Sequence, residues 1–199
     1  VFDMTSPGQT PLDEEERGGL KLAIYTREEL DRAEFESIAN AEIWASVRSR
    51  SISTKQILRE AWLKDLHGRM YGAVWVWAGT YRRRQTNLGC PPFEISTQMA
   101  DSLAYADVWI SQFRSGGMTA DEVAVRFAHK IVSVHPFSNG NGRWSRMVGD
   151  LLVMSLGQPR FTWGRGDLVT PGDTRDNYLR ALKRADLMDM GNLMAFARE

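Results

Sequence analysis

Three copies of one short pattern constrain this chain more than any other feature. Thr26-Arg-Glu-Glu29, Ser53-Thr-Lys-Gln56 and Thr119-Ala-Asp-Glu122 each set a hydroxyl three residues ahead of a Glu or Gln. At that spacing the hydroxyl accepts from the backbone N–H three residues on. The longer side chain accepts in return from the first residue's own N–H, which closes the start of a helix. Apolar residues at helical spacing follow each box: Leu30, Ala33, Ile38 and Trp44; then Ile57, Ala61, Leu66 and Met70; then Val123, Phe127 and Ile131. The pattern predicts helices over 26–48, from Ser53 to about Met70 with Gly72 as the stop, and over 119–134. Similar periodicity predicts helices from Ser96 or Thr97 to Phe113, from Asn141 to Leu156, from Asp173 to Ala185 and from Gly191 to Phe196. Gly116-Gly117, Pro136, Gly157 and Pro159 separate them. The expected fold class is all-α, a helical bundle.

One stretch breaks the helical rule. Between Ala78 and Phe93 the Gly and Pro residues stop helices, while Thr80, Tyr81, Thr86 and Ile95 suit extended chain. A small β-hairpin flap is expected there. Residues 1–20, with Pro7, Gly8, Pro11 and the acidic run from Asp13 to Glu16, read as an N-terminal arm carrying a short helix. Residues 21–199 read as a single globular domain, with no internal repeat.

Composition removes several classes of function. Lysine plus arginine and aspartate plus glutamate both total 25, so no whole-surface field draws nucleic acid or anionic lipid. Any anion site must be local. Cys90 is the only cysteine, which excludes an internal disulfide and a cysteine-rich zinc site. The longest apolar stretch, Tyr71 to Gly79, falls well short of the roughly twenty residues a bilayer span requires. Residues 1–9 lack a charged segment followed by an apolar run, so they do not read as a signal peptide. The chain starts without Met, so its natural start is expected further upstream. A cytoplasmic protein is the expectation.

The chemistry concentrates in His135-Pro136-Phe137-Ser138-Asn139-Gly140-Asn141-Gly142-Arg143-Trp144-Ser145-Arg146. Pro136 removes a donor and ends the helix before it, leaving His135 at its C-terminus. A tight loop follows and runs into the N-terminus of the next helix. Unpaired amides and the positive end of the helix dipole make an anion site. Gly140 and Gly142 permit positive φ, so successive N–H groups can converge on one oxygen cluster. Arg143 and Arg146, three residues apart, share a helix face and can both reach phosphate. A histidine beside such a site, with an ordinary pKa near neutrality, can deprotonate a hydroxyl. The combination points to phosphoryl or nucleotidyl transfer.

The segment resembles the signature of Fic-domain proteins, HPFx[D/E]GNGRxxR, at every fixed position but one. Trp75-Val-Trp-Ala-Gly-Thr-Tyr-Arg82 resembles the run before that family's flap, and Tyr178-Leu-Arg-Ala-Leu182 with Ala185-Asp186 its closing helix. Together with Thr10-Pro-Leu-Asp13 these resemble the bacterial subgroup called mobile mystery protein B. The resemblance implies a Fic-type helical bundle and transfer of AMP from ATP, with Mg²⁺, to a Ser, Thr or Tyr hydroxyl of a target protein. It implies His135 as general base, Phe137 as a buried anchor, and nucleotide binding by Ser138, Asn139, Gly140, Asn141, Gly142, Arg143 and Arg146. Of these, Asn141 would meet the α-phosphate, Arg143 the middle phosphate and Arg146 the γ-phosphate. Thr86, Asn87, Leu88 and Gly89 correspond to the flap that docks the target as an added strand.

The departure is Asn139, where most members carry an acid that helps hold Mg²⁺. A carboxamide oxygen can ligate a hard cation but brings no charge. Doc-type kinases tolerate Asn here but lose the GNG sequence, so the intact Gly140-Asn141-Gly142 favours nucleotide transfer. Transfer from another nucleotide donor remains open, as does a nucleotide-binding, toxin–antitoxin-type protein with little turnover. Many family members also carry an inhibitory helix of pattern [S/T]xxxE[G/N], whose Glu pairs with the second motif arginine. Thr10 to Glu14 fits its first part and Glu15 breaks its end, which makes Glu14, Glu15 and Glu16 inhibitory candidates, with an antitoxin partner as the other form of control.

The remaining polar groups take plainer readings. His129 and His67 read as satisfied, partly buried histidines, and the three histidines show no paired metal-ligand spacing. Arg82-Arg83-Arg84 reads as solvated surface on an exposed hairpin. Most tryptophans read as core, with Trp144 partly exposed near the mouth of the site. Cys90 lacks a neighbouring base and is not expected to act as a nucleophile.

Overall fold

A computed structural model describes residues 17–48, 52–166, 168 and 172–199. The candidate inhibitory residues Glu14, Glu15 and Glu16 therefore lie outside the described residues. Helices come in the order α1 (Arg27–Arg48), α2 (Thr54–Ile57), α3 (Glu60–Tyr71), α4 (Ile95–Arg114), α5 (Ala120–Val134), α6 (Asn141–Ser155), α7 (Asp173–Asp186) and α8 (Gly191–Arg198). Short 3₁₀ turns occupy Pro92–Glu94 and Trp163–Arg165.

All three capping boxes form. Glu29 N donates to Thr26 Oγ1 at 3.2 Å and Thr26 N to Glu29 Oε2 at 3.1 Å. The boxes at Ser53 with Gln56 and at Thr119 with Glu122 are likewise reciprocal. The second starts a shorter helix than its pattern predicts. α2 ends at Ile57, Arg59 is extended (φ −103°, ψ 129°), and α3 begins anew at Glu60. The reason is burial. In one continuous helix Ile57 would point well away from Leu63, whereas the break lets Ile57, Leu63, Leu66 and Met70 all reach the core. Ala61 is left on the outside.

The helical hairpin α5–α6 forms the centre. α4 and α8 pack on α5, α2 and α3 on α6, α1 on α3, and α7 on α8. Val123, Phe127 and Ile131 of α5 and Trp144, Val148 and Leu152 of α6 are all buried in the core. The two helices approach closely at Gly149, where an added Cβ would lie 3.2 Å from the Ala128 Cβ. Leu20 makes an isolated antiparallel bridge with Trp75, so the last residues assigned to the arm are sewn to the body. No helix among the described residues is long and apolar enough to cross a membrane.

The expected β-hairpin flap is not a hairpin. Residues 78–91 form turns and irregular chain without a strand ladder. The backbone groups at the two ends of the loop are bonded elsewhere: Arg82 N donates to Pro136 O at 2.9 Å and Cys90 N to Val134 O at 3.3 Å. The loop thus stands against the α5–α6 connection instead of pairing with itself.

Candidate active site

α5 ends at His135, which takes a left-handed conformation (φ 54°, ψ 58°). For a residue with a Cβ that costs about 1–2 kcal/mol, so the surroundings must hold it there. His135 is only 7% exposed. Burial, reinforced by the nearby Arg82 cation, pushes its pKa down to about 4. The ring is therefore neutral at physiological pH and can accept a proton. This is a larger shift than the near-neutral value read from the sequence, and burial supplies it.

The loop after His135 is braced from inside. Phe137 N donates to Asn141 Oδ1 at 2.9 Å, and Asn141 Nδ2 donates to Phe137 O at 2.8 Å. The same Nδ2 lies 3.2 and 3.3 Å from the two ring nitrogens of His135. The Asn141 side chain, 1% exposed, is thus engaged with the loop and the histidine and does not point into an open phosphate site. Phe137 is fully buried, as an anchor should be, and Ser138 is buried too. Asn139 is half-buried; its Oδ1 accepts from Gly140 N.

His67 carries more of this arrangement than its isolated place in the sequence suggests. Gly79 N donates to its Nδ1 at 3.0 Å, which leaves the ring proton on Nε2, and Nε2–H donates to Asn139 O at 3.0 Å. Its ring stacks on Phe137 at 3.7 Å between centroids. Burial pushes its pKa down to about 3, so the tautomer is neutral and fixed. Tyr71 stands beneath the next residue. Gly140 has φ 78°, and a Cβ there would lie 2.4 Å from the Tyr71 ring, so only glycine fits.

Gly140 caps α6 without a side chain to fill its first turn. The Gly142 and Arg143 amides, too near the start to have an intrahelical acceptor, are available to an anion. Arg143 NH2 donates to Glu34 Oε2 at 2.8 Å, and the guanidinium lies over the Tyr71 ring. Burial works against its charge, but the Tyr71 and Glu34 oxygens outweigh it and hold the cation firmly. Arg146 lies over the Tyr178 ring at 5.0 Å. Glu34, 4% exposed on α1, also accepts from Trp75 Nε1 at 2.9 Å. Nothing in the sequence around Glu34 marks it; a buried-face position on an otherwise charged helix was its only signal.

The flap residues Thr86, Asn87, Leu88 and Gly89 lie on the loop beside His135. Gly89 (φ 88°) packs so closely that an added Cβ would stand 2.4 Å from the His135 Cβ. Arg82 is not solvated surface: it is 4% exposed, and its Nε donates to His135 O at 2.8 Å. Arg83 and Arg84 are exposed, as expected.

The other expectations divide. Trp144 is fully buried, not partly exposed, because its indole N–H donates to Leu63 O at 3.0 Å. His129 is satisfied by Asp186 Oδ1 at 2.8 Å. Ser133 approaches the same His129 nitrogen at 3.5 Å, so the three cannot relay a proton through two ring atoms. Burial pushes the Cys90 thiol up, away from nucleophilic use. Among the described residues no cluster of three His, Cys, Asp or Glu could hold a metal ion. A single carboxamide oxygen beside a phosphate site still suits Mg²⁺, which takes one or two protein ligands and completes its shell with phosphate and water. Asn139 Oδ1 accepts one N–H and keeps a lone pair for that purpose.

Comparison with known proteins gives one consistent answer. A model of the Fic/DOC family matches residues 57–153. Protein adenylyltransferase Fic of Drosophila ananassae is 30% identical over 155 residues, which cover 76% of this chain and 28% of that protein. The chain thus spans little more than a quarter of that relative. Among solved structures, Fic-1 from C. elegans aligns with a TM-score of 0.61 at 24% identity, over 91% of this chain and 50% of that one. The BepC effector of Bartonella tribocorum, with bound AMPPNP, aligns with a TM-score of 0.61 at 16% identity, over 94% and 97%. At such identities the structural likeness is one of fold.

Proposed function

Because the chain belongs to the Fic/DOC family, we propose that it is a protein adenylyltransferase. It moves AMP from ATP to a Ser, Thr or Tyr hydroxyl of a target protein. The observation that carries this reading is the neutral, buried His135 one short loop away from the uncapped start of α6 and its two arginines.

In the proposed reaction His135 takes the proton of the target hydroxyl. The hydroxyl oxygen attacks the α-phosphorus of ATP, forming a P–O bond as the bond to pyrophosphate breaks. The products are AMP-modified protein, pyrophosphate and a protonated histidine. The Gly142 and Arg143 amides and the guanidinium groups of Arg143 and Arg146 bind the phosphates and orient them in line. Asn141 braces the loop and steadies the His135 ring. Asn139 would hold Mg²⁺, which when bound neutralises charge on the leaving phosphates. Thr86 to Gly89 would dock the target beside the base.

The same proposal assigns residues 21–199 to one catalytic domain and places the protein in the cytoplasm. The acidic arm would supply internal inhibition, with Glu14 set against Arg146; the sequence pattern at Thr10 to Glu14 supports it. A second reading is a nucleotide-binding protein with little turnover, such as one arm of a toxin–antitoxin pair. The neutral Asn139 and the Glu34 carboxylate already bonded to Arg143 favour it.

Incubating the protein with labelled ATP, GTP or UTP, Mg²⁺ and cell lysate separates these readings. Transfer of label from ATP to protein, lost in His135→Ala with nucleotide binding retained, is the expected result. Saturable ATP binding without labelling would overturn the enzymatic reading in favour of the second.

A further inference from the structure

Arg82 is the first of three consecutive arginines and the only one buried. Its guanidinium uses three nitrogens on three carbonyls: Nε on His135 O at 2.8 Å, NH1 on Arg84 O at 2.7 Å and NH2 on Cys90 O at 2.6 Å. Two of those carbonyls belong to the loop that Arg82 itself opens, and the third belongs to the histidine. The backbone repeats the tie, since Arg82 N donates to Pro136 O and Cys90 N to Val134 O. Both ends of the 82–90 loop are therefore sewn to the consecutive residues 134–136.

Two features show what this ring of bonds holds. His135 sits in a left-handed conformation that it would not choose alone. Gly89 touches it, at a φ of 88° and with no room for a Cβ. The loop's offset from the histidine is thus fixed on both sides, by steric contact at Gly89 and by the guanidinium fork at Arg82.

We propose that Arg82 is a positioning residue that locks the target-docking loop to the backbone of His135, so that a hydroxyl laid along Thr86 to Gly89 meets the base at one distance. The inference rests on the adenylyltransferase reading above, for the roles of the loop and of His135. A planar fork with donors in fixed directions suits three carbonyls, whereas a lysine ammonium on the same stem cannot span them. The cation has a second effect. The Arg82 cation acts on His135 from the loop, and the neutral Asn141 side chain meets the ring from α6. Removing the cation should make His135 easier to protonate.

The test compares full-length wild type, Arg82→Lys and Arg82→Gln by labelling of lysate proteins from labelled ATP, by ATP affinity, and by NMR titration of the His135 ring. If wild type transfers no label, the parent reading fails and the NMR titration still reports the Arg82–His135 contact. Given wild-type transfer, Arg82→Gln should slow labelling on the order of a hundredfold, the usual consequence of misplacing reacting groups by about an ångström. Its ATP affinity should stay within about twofold, and the acidic limb of its pH–rate profile should move to higher pH. Arg82→Lys should keep the wild-type limb, because the charge remains, yet label at least about tenfold more slowly. If Arg82→Gln does not fold, Arg82→Lys decides. Wild-type labelling by either variant overturns the proposal. So does a loss of labelling in folded Arg82→Gln that merely follows loss of ATP binding, with the His135 titration unmoved.

Discussion

Arg143 of α6 donates to Glu34 of α1 at 2.8 Å, across 109 positions of sequence. The two partners differ in exposure: the side chain of Glu34 is 6% accessible and that of Arg143 is 27%. Among the described residues, removing the arginine would leave the buried carboxylate bonded to the Trp75 N–H alone, whereas removing the acid leaves a cation that water can still reach. Arg143→Ala is therefore expected to lower stability more than Glu34→Gln, by about 1–3 kcal/mol against about 1 kcal/mol. Urea midpoints measure this; the reverse order would mean that the carboxylate is better solvated than its packing suggests. Glu34→Gln should also tighten ATP binding, since phosphate no longer competes with a carboxylate for Arg143.

His67 makes stability depend on pH. Its folded pKa, about 3, lies below the ordinary histidine value of 6.5. Below pH 6.5 the unfolded chain binds a proton that the folded state refuses, so this contribution falls as pH falls through that window. The loss amounts to about 2 kcal/mol by about pH 5. His67→Gln should flatten the pH dependence of stability between about pH 7 and pH 5 by that amount, whatever its effect at neutral pH. Denaturant titrations at the two pH values read the slope directly, and an unchanged slope would place the ring in contact with water. Asp150 acts in the opposite sense. Burial pushes its pKa up to about 6, so its contribution is lost as pH rises.

Gly140 and Tyr71 should be coupled. A methyl group at Gly140 would enter the Tyr71 ring, and the backbone there is left-handed. Gly140→Ala should cost about 1–3 kcal/mol from overpacking and strain and weaken nucleotide binding. Combining it with Tyr71→Ala should recover part of the loss, giving a non-additive double-mutant cycle. Strict additivity in thermal melts would show that the two do not share the space.

Asn139→Asp tests the metal. The substitution adds a carboxylate where one carboxamide oxygen now accepts the Gly140 N–H. It should lower the Mg²⁺ concentration that gives half-maximal labelling, by several-fold, with the His135 pH limb little changed. If the Mg²⁺ dependence stays where it is, position 139 is not a ligand.

Most helix starts and the order of the active loop could be read from the sequence because their causes are local. A capping box closes within four residues, Pro136 ends α5 at a fixed place, and the histidine, loop, helix start and arginines fall within twelve consecutive positions. Groups that must meet within a turn or two leave their spacing in the chain. What tertiary structure alone decided lies across long separations. Glu34 meets Trp75 41 residues away, Arg82 meets His135 53 away, and His67 meets Asn139 72 away. Burial also overruled local pattern: it broke the helix at Arg59 so that Ile57 and Leu63 could share a core, turned Trp144 inward, and took Arg82 out of an apparently solvated triplet. A residue's desolvation depends on surfaces that distant segments bring to it, and no spacing along the chain records which surfaces those are.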